Sequence, residues 1–303
     1  MAPTRQSSPR PDAETLPPGG APLGPGSLTW ELFADRRMVL LGPRAAVLQN
    51  MLPALGQGVQ DHSVWFADTL ARLQRSIGPI FGTVYGAEAV VTGRRVRDFH
   101  TGIKGHLDDD LGGGRYHALD PATFYWAHAT FVEHMVVAAE TFIRPLTPAE
   151  RDQVVAEHLT WWSRYGVSST GVAAGVVDEI PRTWADFHRF FDDALERRLV
   201  RHRTAAYGVG YATKGWPRPA RVPRLLWALV APPLDAVSAF VTIGGMPPRG
   251  RELLGLPWSA AQERRYRRFA RLVRGLDPLV RRLPARHRLH PVAARAVARE
   301  AHR

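Results

Sequence analysis

The string Leu146-Thr147-Pro148-Ala149-Glu150 constrains this chain more than any other, because each residue suits its place in a helix start. Thr147 can accept from free amides of the first turn. Pro148 fits the first helical position, where no donor is needed, and Glu150 can reach back to complete a capping box. The helix it opens should run to about Tyr165. A second start, Asp120-Pro121, precedes Phe124, Ala127, His128, Phe131, Met135 and Ala139, which recur at the spacing of one buried helical stripe. That helix should be about 20 residues long.

Elsewhere Pro and Gly fall at intervals that suit helices joined by short loops, alternating strand patterns are scarce, and no internal repeat is visible. Further helices are predicted near 43–57, 63–76, 93–103, 183–200, 222–242 and 259–275. Val84, Tyr85, Val90, Val91 and Thr92 suggest a short hairpin between Gly82 and Gly93. The loop His106 to Gly114, with Asp108-Asp109-Asp110 and three glycines, should be exposed and mobile. The fold class is therefore all-α. A single multi-helix domain, with a globin-like core as one arrangement, is expected over 27–260, after a disordered leader over 1–26 and before a basic helical tail over 261–303.

With 303 residues and 45% apolar content, the chain can bury a large core. It contains no cysteine. Disulfides, all-thiolate metal sites, covalent CxxCH haem attachment and a thiolate haem ligand are thereby excluded, and any metal must be held by His, Asp, Glu, Lys or Tyr. The N-terminal segment has no apolar run of the signal-peptide kind, and the longest apolar stretch, Leu225 to Met246, is interrupted by Pro232, Pro233 and Asp235. A spanning helix is not expected, and the expected location is cytoplasmic.

The net charge of +12 is concentrated. From Arg264 to Arg303 there are thirteen Arg against only Asp277 and Glu300, while Lys104 and Lys214 are the sole lysines. Tyr266, Phe269 and Val273 give this tail an amphipathic helix, with Arg264, Arg265, Arg267, Arg268 and Arg271 on its polar side. The tail can dock on the protein's own core, or it can contact anionic membrane. Charge alone supports only non-specific association, so no specific nucleic acid is predicted.

Several residues can carry chemistry. Arg97, His100 and Lys104 lie on the helix predicted near 93–103, where spacings of three and four put them on one face, and a neutral His flanked by cations can hold iron beside anionic propionates. A solvated basic face has the same pattern. Arg72, Arg75 and Ser76 likewise share a face, which can polarise dioxygen, hold a carboxylate or simply meet water. His128 lies in the apolar stripe of its helix, either near a cofactor or as a core His. His134 is on another face, so the two cannot form an i, i+4 metal pair. His62 is expected at a helix N-terminus, with Asp61 or Ser63 as cap. The triplet Gly112-Gly113-Gly114 lacks nucleotide-loop context, and GxSxG and HExxH are absent.

Taken in order, LGPRAAVLQN, GVQDHS, RLQRS, VRDFHTGIKG, YHALDPATFYWAHATFVEHM and LTPAERD resemble the catalytic-domain pattern of latex-clearing rubber oxygenases and the fungal mycophenolic-acid-pathway oxygenase. The likeness spans about Leu41 to Tyr165, with weaker traces at Ile180-Pro181-Arg182-Thr183 and Leu256-Pro257-Trp258. It implies a haem b enzyme in which His100 is the proximal iron ligand. Arg97 and Lys104 would contact propionates or structure, and His128 would line the pocket. Arg72, Arg75 and Ser76 fall where rubber oxygenases carry a distal Arg, Lys and Thr. Arg75 cannot replace Lys as an iron ligand, because guanidinium does not deprotonate. The family's His-Pro is here Leu52-Pro53.

The resemblance implies oxidation or oxidative carbon–carbon cleavage of a small apolar organic substrate with dioxygen. Rubber cleavage itself is not implied. The competing reading is a non-catalytic helical protein that meets anionic membrane or other macromolecules through its basic tail, with His100 a surface residue.

Overall fold

A computed structural model describes residues 16–172, 180–214, 218 and 221–302. In chain order the helices are α1 (Leu28–Phe33), α2 (Gly42–Asn50), α3 (Pro53–His62), α4 (Thr69–Tyr85), α5 (Ala89–Phe99), α6 (Pro121–Phe142), α7 (Pro148–Tyr165), α8 (Trp184–Arg197), α9 (Arg203–Lys214) and α10 (Arg224–Gly245). They continue as α11 (Pro248–Leu254), α12 (Ala260–Gly275), α13 (Asp277–Arg282), α14 (Ala285–Arg288) and α15 (Pro291–Ala301). Two 3-10 turns, Arg36–Leu41 and Asp109–Leu111, and one hairpin, β1 (Lys104–His106) with β2 (Arg115–His117), complete the described residues. The protein is all-α, as its periodicity requires.

Helix α6 is the axis of the core. The Asp120 side chain accepts from Thr123 N–H at 3.0 Å, and Pro121 occupies the first turn. Beyond that turn its sides are buried almost all round, by α1, α2, α3, α7, α12 and the turn Arg36–Leu41. The single buried stripe read from the sequence is therefore too narrow for a helix enclosed on nearly all sides. The capping box of α7 forms as its sequence dictates: Thr147 Oγ1 accepts from Glu150 N–H at 3.2 Å and Glu150 Oε2 from Thr147 N–H at 2.8 Å.

Five expectations need correction. The helix placed over 43–57 is two helices, because Met51 and Leu52 turn the chain and Pro53 starts α3. The Val-rich segment 82–93 is helical, forming the end of α4 and the start of α5; its β-branched residues are accommodated by packing against neighbouring helices. The hairpin instead flanks the exposed loop, drawing only its first residue, His106, into β1, and pairs Lys104 with His117, Gly105 with Tyr116 and His106 with Arg115. Its connection ends in Gly112, Gly113 and Gly114, all with positive φ, a conformation that favours glycine. His62 ends α3 rather than beginning a helix, and Asp68 caps α4.

The fifth concerns the leader. Residues 1–15 lie outside the described residues, but 16–26 are held on α7: Ala21 N–H donates to Ala156 O at 2.9 Å, and Thr160 Oγ1 donates to Ala21 O at 2.7 Å. Leu23 is buried there.

The basic C-terminal segment docks on the core. Tyr266 and Ala270 of α12 are buried, and Phe269 meets Phe142 of α6 with ring centroids 6.1 Å apart. Further on, His290 N–H donates to Ala34 O at 2.8 Å, and the His290 ring packs against Phe81 of α4, tilted, with centroids 4.0 Å apart. Ala293 and Ala296 of α15 are fully covered. Helix α10 runs unbroken through Pro232 and Pro233. The two prolines leave the Ala228 and Leu229 carbonyls without intrahelical donors, and both residues are exposed, so water can serve them. By length and composition alone α10 is long and apolar enough to cross a membrane.

Candidate functional site

Helix α5, which carries Arg97 and leads to His100, is wedged between α4, which carries Arg72, Arg75 and Ser76, and α7. Glycine makes both contacts possible. A Cβ on Gly93 of α5 would lie 2.4 Å from the Arg164 carbonyl of α7, and one on Gly82 of α4 would lie 3.0 Å from Thr92 Cγ2. Arg164, a buried residue of α7, donates from Nη1 to Thr83 O at 2.6 Å and from Nη2 to Leu23 O at 2.8 Å, which fixes α7 to the end of α4.

Helix α5 ends at His100. Its last turn tightens, so that His100 N–H bonds the Arg97 carbonyl at 2.8 Å and leaves the Val96 carbonyl to the imidazole, whose Nδ1 donates to it at 2.7 Å. Because a carbonyl only accepts, Nδ1 carries the proton. Nε2 of the neutral ring is therefore a bare lone pair, and among the described residues it has no hydrogen-bond partner. Burial pushes the pKa of His100 below the ordinary histidine value, the Val96 carbonyl partly opposes this, and the charge of Arg72 on α4 lowers it further. Phe124 of α6 meets the imidazole edge-on, with centroids 5.4 Å apart, while Phe99 is 76% exposed beside it.

On α4, Arg72 is half-buried, lies 5.6 Å from the Trp65 ring, and points Nη1 at Ser76 Oγ at 3.4 Å. The Ser76 hydroxyl donates in turn to the Arg72 carbonyl at 3.1 Å. Arg75 is exposed one turn from Arg72. Burial, and then the neighbouring Arg75 charge, lower the pKa of Arg72 from a value so high that it remains a cation. The fold thus brings the Arg72 charge into electrostatic range of His100.

Arg97, Lys104 and His128 are placed differently. The helix stops at Phe99, so Lys104 lies in β1, exposed, and does not continue the face of Arg97 and His100. Arg97 turns to its neighbour Asp98, with Nη2 to Oδ1 at 2.7 Å, and to the Gly166 carbonyl at 3.5 Å. His128 is buried and separated from His100 by Phe124 and Tyr165, which pack edge-to-face at 5.3 Å.

His128 belongs instead to a buried polar chain that the sequence reading missed. Its Nε2 is 2.9 Å from His158 Nδ1 of α7, and His158 Nε2 is 2.9 Å from the Tyr125 hydroxyl of α6. If the Tyr125 hydroxyl donates to His158 and His158 donates to His128, every bond is satisfied, and only His128 Nδ1 remains without a partner. Burial drives both imidazoles far toward neutrality, His158 to about 3. A signal for His158 was present: Val154, Val155, His158, Trp161, Trp162 and Tyr165 form one helical stripe, and all six are buried.

Among the described residues, no three His, Asp or Glu side chains gather as a metal-binding group. A single imidazole with an anchored Nδ1 and a free Nε2 therefore suits a metal that brings its remaining ligands with it.

No curated protein and no solved structure matches the chain. Residues 30–275 match the family described as "ER-bound oxygenase mpaB/B'/Rubber oxygenase, catalytic domain". That match runs from α1 to the end of α12 and takes in the whole region around His100, Arg72 and Ser76. The chain belongs to this oxygenase catalytic-domain family.

Proposed function

We propose that the protein is a haem b-dependent oxygenase that uses dioxygen to oxidise or oxidatively cleave a small apolar organic substrate. The observation that carries this reading is the His100 imidazole, tied through Nδ1 to the Val96 carbonyl at 2.7 Å and bare at Nε2. That bond sets the tautomer and the ring plane and makes Nε2 a better donor to iron. When bound, haem supplies the redox centre for dioxygen chemistry. The chain's own residues supply the surroundings. Arg72 of α4, with Ser76 Oγ accepting from its Nη1, offers guanidinium donors for negative charge that develops on oxygen, and Arg75 offers a cation to a propionate. Phe124 and Phe99 give the imidazole apolar flanks, which suit the flat face of a porphyrin.

The test is an ultraviolet-visible spectrum of protein expressed with ample haem, recorded as purified and then after dithionite and carbon monoxide. The proposal expects a stoichiometric Soret band that shifts with carbon monoxide, and a loss of most bound haem in His100→Ala with helical circular dichroism unchanged. A well-folded, haem-supplied protein without a Soret band, or a His100→Ala variant that keeps its haem, defeats it.

A further inference from the structure

Helix α10 divides into two unlike parts. Its C-terminal third is locked into the core: Val241, Thr242 and Gly244 are buried, and a Cβ on Gly244 would lie 2.5 Å from the Tyr266 ring of α12. Phe240 packs against Trp258 at 5.5 Å. The N-terminal two thirds are different. Leu225 is 84% exposed, Leu229 75% and Leu226 50%, and Val230, Leu234 and Val237 are exposed beside them. These positions cover every side of the helix except the stripe of Trp227, Ala231, Asp235 and Ser238, which is partly covered. Asp235, the only charged residue between Arg224 and Gly245, lies on that covered stripe, so the exposed face carries no charge. A contiguous apolar face of this kind on a protein surface marks an interaction site.

The surrounding charge selects the partner. Between Glu196 and Asp235 the sequence has eight Arg and Lys and no acidic residue. Arg218, Arg221 and Arg224, where the helix begins, are all exposed, and none of them has a carboxylate partner among the described residues. An uncharged leucine-rich face with arginines at its margin matches the interface of an anionic bilayer, where the leucines enter the acyl boundary and the guanidinium groups meet headgroup phosphates. A second copy of the chain would instead bring two arginine clusters together. A spanning arrangement conflicts with the packing of Val241 to Gly244, which would have to leave the core.

We propose that the exposed face of α10 from Leu225 to Val237 is a membrane-interface element that seats the protein on anionic lipid, with Arg218, Arg221 and Arg224 at the headgroups. The assignment is independent of haem binding. The helix lies along the surface and does not cross it.

The test is co-sedimentation of the full chain with vesicles of phosphatidylcholine alone or mixed with phosphatidylserine, at low and high salt. Wild type should bind the anionic vesicles, and Leu225→Asp/Leu229→Asp should weaken binding roughly tenfold or more. Arg221→Glu/Arg224→Glu should remove most of the salt-sensitive part. Both leucines are exposed, so circular dichroism should match wild type; if the Asp pair unfolds, Leu225→Ser/Leu229→Ser gives the same readout more gently. Arg264→Glu/Arg268→Glu on α12 should leave binding unchanged. The proposal is overturned if wild type ignores the vesicles, if the leucine variants bind as wild type does, or if the α12 variant alone abolishes binding. It is equally overturned if wild type is a dimer that the leucine variants split without any effect on vesicles.

Discussion

At the scale of the residue, the protein uses buried histidines in two opposed ways. His100 spends one nitrogen on the Val96 carbonyl and keeps the other open, whereas His158 spends both, one on His128 and one on Tyr125. The closed arrangement has a consequence for stability. In an unfolded chain each histidine takes up a proton near pH 6.5. In the fold, burial holds His158 and His134 neutral down to about 3. Above pH 6.5 neither state binds these protons, so the groups contribute no pH dependence; below it the unfolded state binds more protons, and stability falls as pH drops from 6.5 toward 3. Each group contributes a slope of up to about 1.4 kcal/mol per pH unit in that window. Urea-unfolding midpoints should therefore decrease between pH 7 and pH 4.5. A flat profile across that range contradicts the neutral, buried assignment.

At the scale of the element, α5 is held by the absence of a side chain. Gly93→Ala places a methyl group 2.4 Å from the Arg164 carbonyl, a contact that backbone cannot yield to without moving a helix. Arg164 is itself anchored to Thr83 and Leu23, so α5 must give way, and with it His100. Gly93→Ala should lower the thermal midpoint and, if the protein holds haem at His100 as proposed, reduce haem content, while Gly102→Ala, where an added Cβ meets open space, should change neither. Wild-type haem content in Gly93→Ala would show that the crossing does not set the position of His100. This crossing was illegible in the sequence, because a glycine inside a helix looks the same whether it faces water or another backbone. What was legible rested on local chemistry. The Thr147 to Glu150 capping box and the Asp120-Pro121 start depend only on neighbours in the chain, and both helices begin where those residues place them. The hairpin was misplaced because Val84, Val90 and Val91 favour strands locally, yet packing of α4 on α5 decides their conformation. His100 was found, but its place at the end of α5, which dissolves the shared face with Lys104, follows from a tightened last turn that spacing does not reveal.

At the scale of the whole molecule, one buried ion pair joins three distant parts of the chain. Arg44 of α2 grips Glu133 of α6 through two bonds, Nη1 to Oε2 at 2.6 Å and Nη2 to Oε1 at 2.5 Å, and its Nε donates to the Gly245 carbonyl at the end of α10. Arg44 is 2% exposed and Glu133 8%. A pair so deeply buried contributes little net stability over an apolar replacement, but removal of one partner strands the other charge in the core. Glu133→Ala should therefore cost about 3–5 kcal/mol, measured by urea unfolding, and Arg44→Ala a similar amount. Arg44→Met/Glu133→Leu should cost less than either single change, because no charge is left behind. The one loss the double variant cannot repair is the bond to the Gly245 carbonyl, so it should fall short of wild type by about 1 kcal/mol. Strictly additive costs would mean that the two side chains do not act as a unit. Coupling between them would show that α2 and α6 are registered by this pair, and that the docked end of α10, from which its apolar face projects, is registered with them.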